Sequence, residues 1–102
     1  MHLEEINRII EEYEQYNFIF SKDSLKKIRN ECESWKNDWV EVFKKQLRRI
    51  KKGEGYPAHD KENGIQVTDP LVKNQYMTML FKQQTNGSFY IYSFKLGFRE
   101  IR

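Results

Sequence analysis

Cysteine is nearly absent: Cys32 is the single one in 102 residues. No internal disulfide can form, so the fold does not depend on an oxidising compartment. Histidine is almost as scarce, with His2 and His59 alone, and one cysteine with two histidines cannot build a zinc site of the usual Cys/His spacing. Glycine is sparse and never arranged as a phosphate loop. Gly53 and Gly55 follow a helical stretch, whereas a phosphate cradle precedes one. No apolar run approaches the ~20 residues of a membrane span. The opening MHLEEINRII lacks the basic start and apolar centre of a secretion signal. From these absences the expectation is one domain over residues 1–102, cytoplasmic, with no cofactor, no metal and no membrane partner.

Aromatic side chains are plentiful: two Trp, six Tyr and seven Phe make up 15% of the chain. Such large groups bury the most area per residue, so a small but real core is expected. Charge is also plentiful and unevenly placed. Residues 1–20 carry one Arg against five Glu, net −4; residues 21–52 carry eleven basic and five acidic groups, net +6; the rest is net +1. The first segment is the electrostatic complement of the second.

Apolar spacing predicts a helix over residues 3–16. Leu3, Ile6, Ile10 and Tyr13 form one face, widened by Ile9 and Tyr16, and Asn17 is the stop. A second helix starts at Ser21, whose hydroxyl can cap the first turn, with Phe20 and Leu25 placed as a hydrophobic staple. Leu25, Ile28, Cys32, Trp35, Trp39 and Val42 then alternate three and four apart, drifting to Phe43, Leu47 and Ile50 before Gly53. Unbroken, this helix is ~45 Å long, and an uncovered stripe of that length implies a homodimer. The alternative is a break near Asn37, with Asp38 to Glu41 capping the next helix.

Residues 53–64 read as a polar loop, IQV as a short edge strand, and TDPLV as a turn. The segment NQYMTMLFKQQTNGSFYIYSFKL carries Asn86-Gly87, the favoured pair for a two-residue hairpin loop. That loop sets Phe81 opposite Tyr92, Met79 opposite Phe94 and Met77 opposite Leu96, all on one apolar face. A hairpin alone is marginal, so this face should pack on the Trp35–Trp39 stripe. The fold class is α+β: two N-terminal helices packed on a small C-terminal antiparallel hairpin or sheet.

No catalytic constellation assembles. Cys32 lies on the apolar stripe, where a buried thiol is inert. His59, Asp60 and Glu62 sit in a loop where polar residues are expected, and no spacing selects a carboxylate pair. The chain is therefore not expected to be an enzyme. Two surfaces invite a partner. Lys44, Lys45, Arg48, Arg49, Lys51 and Lys52 form a positive strip opposite the apolar side of their helix, although cations are favoured at a helix C-terminus in any case. Tyr13, Tyr16, Phe89 and Tyr90 are the aromatics most open to an interface, and the hairpin's free edge could receive a strand. The leading expectation is a small interaction protein that binds another macromolecule, most readily a protein. It would serve as a regulator, inhibitor or adaptor, of the kind found among phage and mobile-element accessory proteins. The alternative is nucleic-acid binding by the strip 44–52, whose lack of interleaved aromatics argues against base stacking.

Overall fold

The apolar spacing of the first helix is realised almost as written. In the computed structural model, which describes residues 2–72 and 74–97, helix α1 spans His2–Glu14 and buries Ile6, Ile9, Ile10 and Tyr13. It stops at Asn17, which takes φ 70°, a conformation that Asn tolerates better than most residues. Strand β1, Phe18–Phe20, follows at once and pairs in parallel with a C-terminal strand, Phe18 beside Phe89 and Phe20 beside Ile91. Three residues are too short to show a period, so sequence reasoning took FIF only as a helix approach.

Helix α2, Lys22–Glu31, is capped as expected. Ser21 Oγ accepts from Ser24 N at 3.1 Å. The long helix does not continue, and the break comes earlier than Asn37. A 3-10 turn over Cys32–Ser34 and two extended residues, Trp35 and Lys36, separate α2 from α3, Asn37–Lys51. Asn37 begins α3, and its cap Lys36 offers no side-chain bond. An unbroken helix of ~45 Å would overrun the molecule, whose longest axis is 35 Å. The turn folds both halves onto one core. There Trp35 packs 5.7 Å from both Phe43 and Phe94, measured between ring centroids. The uncovered stripe that implied a dimer is thereby covered within one chain.

The remaining elements are β2 (Tyr56–Pro57), β3 (Ile65–Pro70), β4 (Tyr76–Gln83) and β5 (Phe89–Gly97). The sheet order is β1-β5-β4-β3-β2, with only the β1–β5 pair parallel. Three sequence expectations change. The IQV strand runs on through Thr68 and Asp69 to Pro70, where a turn was expected, and β2 lies outside it, so it is not the edge. The β4–β5 hairpin is bordered by β3 on one side and, along Phe89 to Ile91 only, by the short β1 on the other. Its turn is not the two-residue form. Gly87 N donates to Gln84 O at 2.9 Å, Gln84 N donates to Ser88 O at 2.8 Å, and Gly87 alone in that loop takes positive φ, 88°.

The longer loop shifts the upper hairpin by one residue, pairing Phe81 with Ile91. A bulge at Tyr92 restores the expected register, so Leu80 faces Ser93, Met79 faces Phe94 and Met77 faces Leu96. Met77, Met79, Phe81, Ile91 and Phe94 are buried in the core. The extra residue carries Tyr92 off that face, as a bulge re-aims a side chain. The core lies between the helices and one face of the sheet. Gln46 enters it from α3, donating to Met77 O at 2.6 Å and Val67 O at 3.3 Å, and so holds α3 at a fixed height over β3 and β4. No helix among the described residues is long and apolar enough to cross a membrane.

Candidate interaction groove

Packing Val40, Phe43, Leu47 and Ile50 inward turns the basic residues of α3 outward in two rows, and the two rows have different fates. Lys45 and Arg49, four apart, converge on Asp69 of β3. Arg49 Nη1 lies 2.7 Å and Lys45 Nζ 3.4 Å from Asp69 Oδ1. Arg49 Nε also meets Glu54 at 3.0 Å. Asp69 is 4% exposed, so these two cations neutralise a carboxylate that would otherwise be buried alone. Lys44 pairs with Glu41 at 3.7 Å along the helix. Three of the six strip residues thus have carboxylate partners within the fold.

Arg48, Lys51 and Lys52 form no ion pair among the described residues. They line one side of a groove whose other side is Glu12, Tyr13 and Tyr16 at the end of α1, enclosing about 390 Å³. Tyr13 forms the floor. It is buried, meets Tyr16 edge-on at 5.5 Å and Phe18 edge-on at 5.2 Å. Burial raises its phenol pKa above the usual tyrosine value, and the Glu12 carboxylate adds to the rise. Tyr16 is the outer wall, 43% exposed, with Lys51 Nζ 4.2 Å above its ring, a cation–π contact. The groove therefore joins an aromatic floor and wall to three cations.

The other aromatics named from the sequence do not belong here. Phe89 is buried, 4.9 Å from the Phe18 ring and 6.4 Å from Phe81; it is core. Tyr90 lies on the opposite face of the sheet, half-buried and stacked on Tyr92 at 6.5 Å. That face is partly covered by the loop between β2 and β3, held by Tyr92 Oη donating to Asp60 at 2.6 Å and by Lys82 pairing with Glu62 at 2.8 Å. His59 is exposed in that loop. Among the described residues no three His, Cys, Asp or Glu side chains stand together as metal ligands. Cys32 is buried, which raises its thiol pKa.

Sequence reasoning named both walls of the groove but did not join them. Tyr13 and Tyr16 were read as one surface and the basic strip as another. The available signal was the charge split between residues 1–20 and 21–52. Asp69 as the partner of Lys45 and Arg49 left no signal, since the two sides are twenty or more residues apart and meet across two layers. No protein family, no curated protein and no solved structure matches the chain.

Proposed function

We propose that this protein is a small non-enzymatic interaction module of the cytoplasm, a regulator, inhibitor or adaptor of the kind phages and mobile elements carry. It binds another protein by accepting an acidic segment in the α1–α3 groove. The observation that carries this reading is the pairing of three unneutralised cations, Arg48, Lys51 and Lys52, with the Tyr13–Tyr16 surface. Aromatic floors with charged rims suit protein interfaces, where a buried anchor supplies affinity and rim charge supplies steering. A nucleic-acid partner is less well served. Half of the basic strip is occupied by carboxylates of the fold, which leaves three cations of the strip to neutralise a phosphate backbone.

Capture of partners from the organism that encodes the protein, with and without nuclease, tests the reading. The wild type should retain a protein partner through nuclease treatment, and a variant carrying Arg48→Glu and Lys51→Glu should lose it. Capture that disappears with nuclease would transfer the function to nucleic acid.

A further inference from the structure

The two helices that wall the groove differ in sign, and Glu12 is the α1 carboxylate that lines it. Along α1 stand Glu4, Glu5, Glu11, Glu12 and Glu14 against the single Arg8. None of these glutamates has an ion-pair partner among the described residues, and all but Glu5 are exposed. Immediately across the groove stand Arg48, Lys51 and Lys52, equally without carboxylate partners. Glu12 shares the groove with these cations yet forms no ion pair with them. Exposed Tyr16 lies on the seam.

A patch with acid on one side of an aromatic seam and base on the other is complementary to itself. A two-fold rotation about the seam sets acid over base twice, which is the requirement of an isologous contact. We infer that a second copy of the chain docks on the groove in the free protein, α1 of each copy lying over the α3 cations of the other. The inference rests on the groove being the protein-binding site, and it supplies that site with regulation. The dimer and the acidic partner occupy the same cations, so each displaces the other by mass action. Partner binding would then release monomers, and a high concentration of the protein would mask its own site.

Sedimentation across protein concentration and salt tests this, with charge-swapped variants as the discriminating arm. Wild type should form a dimer of the 12.5 kDa chain at low salt and dissociate near 1 M salt, where the screening length is about 3 Å. Glu11→Lys with Glu12→Lys should weaken self-association at least ~10-fold, or about 1.4 kcal/mol, and Arg48→Glu with Lys51→Glu should do the same. Mixed in equal amounts, the two variants should recover a heterodimer. Should a swap disturb folding, as circular dichroism would show, Lys51→Gln with Lys52→Gln serves in its place and should weaken the dimer alone. A dimer indifferent to salt and to every substitution overturns the inference, as does a wild type that is monomeric throughout. Titration of a fluorescent poly-Glu peptide separates the two proposals. A monomer that binds the peptide through Arg48 and Lys51 defeats the dimer and keeps the groove; a monomer that does not bind it defeats both.

Discussion

Tyr92 donates its phenolic hydrogen to Asp60 Oδ2 at 2.6 Å, joining the bulge of β5 to the loop that crosses the outer face of the sheet. The bond exists because the bulge takes Tyr92 out of the core face, where strict alternation would have left it. It shifts both groups. The phenol bond holds the Asp60 carboxyl below its usual value. Burial first, and the bond to Asp60 second, push the Tyr92 phenol above its usual value.

Two limbs of pH dependence follow. The depressed Asp60 contributes stability that is present above the ordinary carboxylate value, about 3.9, and is lost as pH falls through the lower folded value. The elevated Tyr92 contributes stability that is present below about 10 and is lost as pH rises toward the higher folded value. Tyr92→Phe removes both. Urea unfolding of wild type and variant across pH should show a gap that is widest between those limits and narrows beyond each. A gap constant from acid to alkali would mean that the bond carries no stability.

Gly64 is glycine for want of space. It does not adopt the left-handed conformation, but an added Cβ would overlap the Tyr92 hydroxyl and lie 2.8 Å from ring atoms Cε2 and Cζ. Gly64→Ala should destabilise by ~1–3 kcal/mol, as overpacking does. In a Tyr92→Ala background the same change should cost much less, because the obstructing ring is gone. A double-mutant cycle by chemical denaturation measures the coupling, and strict additivity would show that the ring does not set the requirement.

Phe89 and Tyr16, read alike from sequence, should separate in experiment. Phe89 is wedged between Phe18 and Phe81, so Phe89→Ala should cost ~3–5 kcal/mol, a large part of the roughly 5–15 kcal/mol that holds a domain together. Tyr16→Ala, on the groove wall, should leave the denaturation midpoint nearly unchanged and weaken binding of an acidic peptide. Equal stability losses for the two would place Tyr16 in the core.

What the sequence made legible follows from period and burial. The face of α1 and the lower register of the β4–β5 hairpin were readable because each depends on a repeat with one buried side, and the Ser21 cap because it is a local bond between a hydroxyl and the first helical turn. Even the α2–α3 stripe was read correctly as apolar; the break offered near Asn37 falls a few residues earlier, over residues 32–36, because Trp35 and Trp39 keep helical spacing across an extended pair. The bulge left no mark, since Tyr92 is as apolar in pattern as Phe94. β1 was too short to have a pattern. At the groove, sequence could name cations and tyrosines but not which cations were already in use, because Asp69 reaches them only once β3 lies beneath α3.

That division of the basic strip gives the last prediction. Arg49 and Arg48 are neighbours in sequence with identical chemistry, yet Arg49 bonds the buried Asp69 at 2.7 Å while Arg48 faces the groove. Arg49→Ala removes a charged hydrogen bond and leaves Lys45, at 3.4 Å, as the remaining ion-pair partner of a carboxylate that is 4% exposed. It should cost ~1.5–3 kcal/mol. Arg48 forms no ion pair among the described residues, so Arg48→Ala should leave stability within ~0.5 kcal/mol of wild type. Binding of an acidic peptide should show the reverse order, falling with Arg48→Ala and holding with Arg49→Ala once the protein is fully folded. Denaturant midpoints and peptide titrations on the same two variants decide it. Parallel effects in both measurements would return the strip to a single uniform surface.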